Sequence, residues 1–227
     1  MYRGAKTLLG FLLALTLLTA PSARAAWCGE NGTVRLSFTP GPQLKPVATI
    51  EPGDNGLTTV DLYAWLTDVE RLQRDGVEFE GLSAFELHLV IEGAEGFIIK
   101  QEYSQEVRQV GKKPGNCIVG LYPGLYFTEG AVQLVHWQIM FQGQPENVVF
   151  RLDAGALITC DRTPGCAGSG VSALFSGIDS HGLIGEIFGA GSQPAYLNPS
   201  GDPDLTESHG TVTWRDVGRF HPVEDKN

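Results

Sequence analysis

The sequence predicts an all-β chain folded as a two-sheet antiparallel β-sandwich with little helix. Three observations predict it. From Val60 to Thr67, Val60, Leu62, Ala64 and Leu66 alternate with Asp61, Tyr63, Trp65 and Thr67. From Phe85 to Glu92, Phe85, Leu87, Leu89 and Ile91 alternate with Glu86, His88, Val90 and Glu92. Successive side chains of a strand point to opposite faces, so a period of two marks strands with one face on a core. The third observation is the count of 29 glycines and 13 prolines in 227 residues, enough to supply many turns between short strands.

The chain opens with a targeting segment. Arg3 and Lys6 precede the uncharged, mainly apolar run from Leu8 to Ala20, and Ala23-Arg24-Ala25 fits the small-x-small cleavage pattern. Residues 1–25 therefore read as a signal peptide, and residues 26–227 as a single domain with a loose C-terminal tail from Asp216. The expected location is secreted or periplasmic. Trp27 before Cys28 argues against a lipid-modified cysteine, which follows a small residue. No stretch after the signal reaches the roughly 20 apolar residues of a membrane span.

Gly32–Phe38 reads as the first strand, stopped by Thr39-Pro40-Gly41-Pro42. Pro46–Ile50 is a short strand, and Pro52–Gly56 a turn. Asp75-Gly76 reads as a hairpin turn rather than the end of a helical turn over Val69–Arg74. After a turn at Gly93–Gly96 come strands at Phe97–Tyr103, Cys117–Leu121, Ala131–Phe141 and Asn147–Asp153. Val171–Phe188 is ambiguous, Gln193–Gly210 is polar and turn-rich, and Gly210–Trp214 reads as the last strand.

Charge limits the partners. The net charge is −10, and the signal holds Arg3, Lys6 and Arg24 with no acid, so the processed chain is more acidic still. That opposes nucleic acid and anionic membrane surfaces, both of which attract basic patches. Cys28, Cys117, Cys160 and Cys166 all follow the signal, and an even number in an oxidising compartment reads as two disulfides. The turn-forming residues 161–165 favour Cys160–Cys166, which leaves Cys28–Cys117 to close a loop of about 90 residues. Zinc is the competing reading, but no C-x-x-C pair occurs.

Enzyme signatures are missing. There is no G-x-S-x-G, no H-E-x-x-H and no phosphate-binding glycine pattern, and the five histidines are scattered. A triad assembled from distant residues leaves no such trace, so a secreted hydrolase stays as the alternative. No cofactor is expected except that Asp202, Asp204 and Glu207 offer hard oxygen ligands that suit calcium; they do not match the EF-hand pattern, and a plain polar turn is the preferred reading. Tyr63 and Trp65 share the face opposite the aliphatic one. Exposed, they would form a flat apolar platform for a sugar ring or a protein surface. The preferred expectation is that a neighbouring segment such as Ser104–Gly130 covers them.

The run from Gly53 to Gln101 resembles the opening of cohesin-like modules, a secreted β-sandwich type comparable to carbohydrate-binding modules. Gly81, Phe85, Leu87 and Leu89 stand where that family has G-x-x-x-F-x-L-x-L. The resemblance covers about a quarter of the chain. It implies a jelly-roll-like sandwich acting as a non-enzymatic binding or surface-interaction module for protein or carbohydrate. The four cysteines and the long segment after Asp153 depart from the family.

Overall fold

The structure is a computed structural model describing residues 28–41, 43–69, 72–74, 77–109, 113–128, 130–153 and 173–203. The signal segment, Cys160, Cys166, Asp204, Glu207 and Gly210–Trp214 lie outside the described residues. Among the described residues thirteen strands form one hydrogen-bonded sheet that does not close on itself. They are β1 (Cys28–Ser37), β2 (Val47–Ala48), β3 (Leu57–Thr67), β4 (Gln73–Arg74), β5 (Val77–Glu92), β6 (Gly96–Tyr103), β7 (Val107–Gln109), β8 (Asn116–Tyr126), β9 (Ala131–Gln142), β10 (Val148–Asp153), β11 (Ala173–Asp179), β12 (Ile184–Gln193) and β13 (Ala195–Leu197).

The sheet folds over into two layers. One layer runs β1, β3, β9, β6, and β5 with β8, β10 and β11 forms the other. Aromatic pairs span the gap: Phe141 of β9 meets Phe150 of β10 edge-on at 6.2 Å, and Tyr103 of β6 lies 6.2 Å from Phe85 of β5. The alternation in β3 does what the sequence implies. Val60, Leu62, Ala64 and Leu66 are fully buried, and their partners Ile139, Trp137 and Val135 on β9 share that inner face.

β10 and β11 lie end to end along one edge of β5. Asp153 is opposite His88, Ala173 is opposite Leu87, and β8 takes the other edge of the same two residues. β12 then pairs antiparallel with β11 and parallel with β1, which links the two layers.

A polar group sits inside the sandwich. The Gln101 Oε1 accepts from the Trp137 indole N–H and from the Gly115 amide, both at 3.0 Å, while its amide nitrogen donates to the Tyr103 hydroxyl. Both lone pairs of that oxygen are thus used, so the half-buried amide carries little desolvation penalty.

Cys117 lies next to this group on β8 and corrects the expected Cys28–Cys117 disulfide, because it is a buried free thiol. In the ladder Cys28 stands opposite Gly189 of β12 and Cys117 opposite Leu87 of β5, so the two cysteines are not cross-strand partners. Burial pushes the Cys117 thiol up to about 12. The folded state therefore holds that proton more tightly than the unfolded chain, whose thiol titrates near about 8.5. Its contribution to stability is complete below that value and is lost as pH rises toward about 12. The native protein at pH 8 should leave Cys117 unlabelled by iodoacetamide over hours, with labelling after denaturation. Rapid labelling of folded protein at Cys117 would contradict its burial.

A candidate binding face on the outer sheet

The outer surface of β3, β9 and β6 holds the residues that the inner alternation turns away from the core. Register lines them up in rows. Asp61, Gln138 and Lys100 form one row; Tyr63, His136 and Glu102 form the next; Arg35, Trp65 and Gln133 form a third. At the other end of the face Phe97 lies beside Met140. A bulge between Ile98 and Lys100 leaves Ile99 out of the pairing, and Phe97 and Ile99 are 53% and 50% exposed.

His136 is the centre of this face. Its Nε2 is 2.8 Å from Asp61 Oδ1, and its Nδ1 is 3.2 Å from Glu102 Oε2. Tyr63 stacks flat on the imidazole, with centroids 4.4 Å apart and planes 8° apart. A neutral imidazole has one N–H, so it donates to only one of the two carboxylates, and both bonds require the imidazolium. Lys100 holds Glu102 at 2.8 Å. Its hydrogen bond to Glu102 is the main cause that lowers that carboxyl below its ordinary value. Burial raises the Tyr63 phenol, and the charges of Asp61 and Glu102 push it the same way.

The two aromatics expected as a pair are therefore placed differently from either alternative the sequence left open. Both are half-buried. One face of Tyr63 is taken by His136, and the groups around it come from the adjacent strands β9 and β6. The described residues of segment 104–130 supply β8, which pairs with β5 in the other layer, and β7, which pairs with β8, and so do not form the expected cover. The Trp65 indole nitrogen is buried and has no hydrogen-bond partner among the described residues. Trp65→Ala should then cost about 1–3 kcal/mol in denaturant unfolding, below the roughly 3–5 kcal/mol of a fully enclosed tryptophan. A loss under about 0.5 kcal/mol would mean the ring is effectively in solvent.

His136 is one of the five scattered histidines, and the sequence names no partner for it. Its partners come from β3 and β6, and only the strand order brings Asp61 and Glu102 to it. Of the calcium candidates, Asp202 is exposed, while Asp204 and Glu207 are outside the described residues. Among the described residues no three His, Cys, Asp or Glu side chains are placed to hold a metal ion together, and no helix is long and apolar enough to cross a membrane.

No family model and no curated relative matches the chain. Solved structures similar to it include a cohesin module from the family 33 glycoside hydrolase of Clostridium perfringens ATCC13124. That likeness is at 12% identity and a TM-score of 0.40, covering 75% of this chain and 98% of the other. The seventh ScaB type I cohesin from Pseudobacteroides cellulosolvens is similar at 11% identity and a TM-score of 0.41, covering 78% of this chain and 97% of the other. The chain thus bears a weak cohesin-like resemblance over part of its length.

Proposed function

We propose that this chain is a secreted, non-enzymatic binding module that docks a protein on the outer face of β3, β9 and β6. The observation that supports the reading is the composition of that face. Half-exposed Phe97 lies at one end of the face with Ile99 following it on β6, and the Tyr63–His136 stack, with Asp61 and Glu102 around it, lies further along the same face. Apolar and aromatic anchors within a charged rim are the usual make-up of a protein-docking surface. The test is capture of an extracellular partner by the immobilised mature protein, compared with an F97A/I99K variant shown to be folded. Retention by the wild type and loss by the variant is the expected result. Equal retention by both would remove this face from the reading. Binding to glycans on an array, lost in Y63A, would move the ligand to carbohydrate.

The contact of His136 with Asp61 at 2.8 Å favours a second reading, a secreted hydrolase using the histidine as a base. The pair stands on an open sheet face, and among the described residues no hydroxyl or thiol is hydrogen-bonded to His136. A chromogenic ester and glycoside panel on wild type and H136A decides it. Activity lost in H136A would establish the hydrolase.

A further inference from the structure

A second surface lies at one end of the sandwich, on residues the first reading does not use. β5 begins beyond its last pairing with β11, and its first residues are held by chain segments from both layers. The Phe79 amide donates to the Leu72 carbonyl at 3.0 Å, and the Phe127 amide donates to the Glu80 carbonyl at 2.8 Å. Val69 reaches the Gly130 carbonyl at 3.5 Å. These bonds fix the walls of an open groove of about 490 Å3. Val69, Leu72 and Phe79 are almost fully buried and form its apolar floor. Tyr126 stands on the lip at 52% exposure, and Val77 is close by in sequence at 41%. Glu78 and Glu80 project at the rim on either side of Phe79, and among the described residues neither carboxylate has an ion-pair partner.

We propose that this groove docks a segment of a second protein that presents one aromatic or large aliphatic side chain flanked by Lys or Arg. The groove has volume enough for a large side chain, and Val69, Leu72, Phe79 and Tyr126 in its lining give apolar contact. A side chain laid in it is partly removed from water, which is how interface anchors contribute binding energy. The exposed carboxylates of Glu78 and Glu80 in the groove lining select the flanking charge. The net charge of −10 draws a basic segment toward the molecule before contact, and repels an acidic one.

The probe is a set of capped hexapeptides: one with a central tryptophan between arginines, one with glutamates in place of the arginines, and one with alanine in place of the tryptophan. Binding to the mature protein is measured by calorimetry, and amide chemical shifts locate it. The arginine–tryptophan peptide should shift Leu72, Phe79, Tyr126 and Phe127 and bind less tightly as salt rises. The other two peptides should bind weaker by on the order of tenfold or more. In a folded E78K/E80K variant the order should reverse, with the glutamate peptide now preferred. H136A should bind the peptides as wild type does, which separates this groove from the outer face. No binding at millimolar peptide, shifts elsewhere on the molecule, or an order unchanged in E78K/E80K would each overturn the proposal.

Discussion

Trp137→Ala should lower the stability of the folded chain by about 3–5 kcal/mol in denaturant unfolding. Trp137 is completely buried on the inner face of β9, between Leu62 of β3 and Gln101 of β6 in register. Its truncation opens a cavity between the layers and removes the donor to Gln101 Oε1, so transfer, cavity and hydrogen-bond losses act together. Trp137→Phe separates them. Most of the apolar volume remains, and Gln101 Oε1 keeps the Gly115 amide, so the expected loss is nearer 1–2 kcal/mol. If alanine cost no more than phenylalanine, the ring could not be filling the space between the layers.

Gly93→Ala is expected to be the most damaging single-methyl addition. Gly93 has φ of +90°, and a Cβ there would lie 2.5 Å from the backbone carbonyl oxygen of Asn147, a residue whose amide donates to the Asn198 carbonyl at 3.0 Å. The backbone conformation alone costs a non-glycine residue about 1–3 kcal/mol, and the clash adds to it because neither side can rotate away. Gly143 supplies the control. It has φ of +73° and nothing within 4 Å of a notional Cβ, so Gly143→Ala should show the conformational cost alone. Thermal unfolding of the two variants side by side should place Gly93→Ala clearly lower. Equal melting temperatures would mean the turn at Gly93 moves freely away from Asn147.

The period-two reading locates β3, β6 and β9 closely because in each one face turns to the core and the other to solvent, while β10 is marked by its apolar run Val148–Phe150. That reading fails where burial is two-sided or where glycine dilutes the pattern. β11 buries Ala173, Leu174, Phe175, Gly177 and Ile178, so no alternation is visible in it, and residues 171–188 read as ambiguous. β13 sits in a stretch taken as polar and turn-rich, yet Ala195, Tyr196 and Leu197 are fully buried between β10 and β2. Local composition cannot show that both neighbours arrive from far away in the chain.

β8 was expected to stop at Leu121 before Tyr122-Pro123-Gly124, but it runs on to Tyr126. Its register with β5 slips between Gly120 and Leu125, so the proline falls in the irregular stretch and its missing N–H takes nothing from the ladder. The candidate site was half legible for the same reason. Tyr63 and Trp65 could be assigned a face from their own strand, whereas His136 could not be given Asp61 and Glu102 without the order β3–β9–β6. The groove floor escaped because Val69, Leu72, Phe79 and Phe127 are scattered through a linker, a strand start and a strand end.

The end-to-end placement of β10 and β11 on β5 bears on how this chain tolerates change of length. Residues 153 and 173 are anchored opposite adjacent positions of one strand, His88 and Leu87. The sheet therefore sees the same two anchor points whatever number of residues connects them. Closing a longer connection raises the entropic cost only logarithmically, by about 0.6 kcal/mol per doubling. The interval that carries Cys160 and Cys166 is thus the place where evolution, or a protein engineer, can graft a new sequence while the strand register on either side stays as it is.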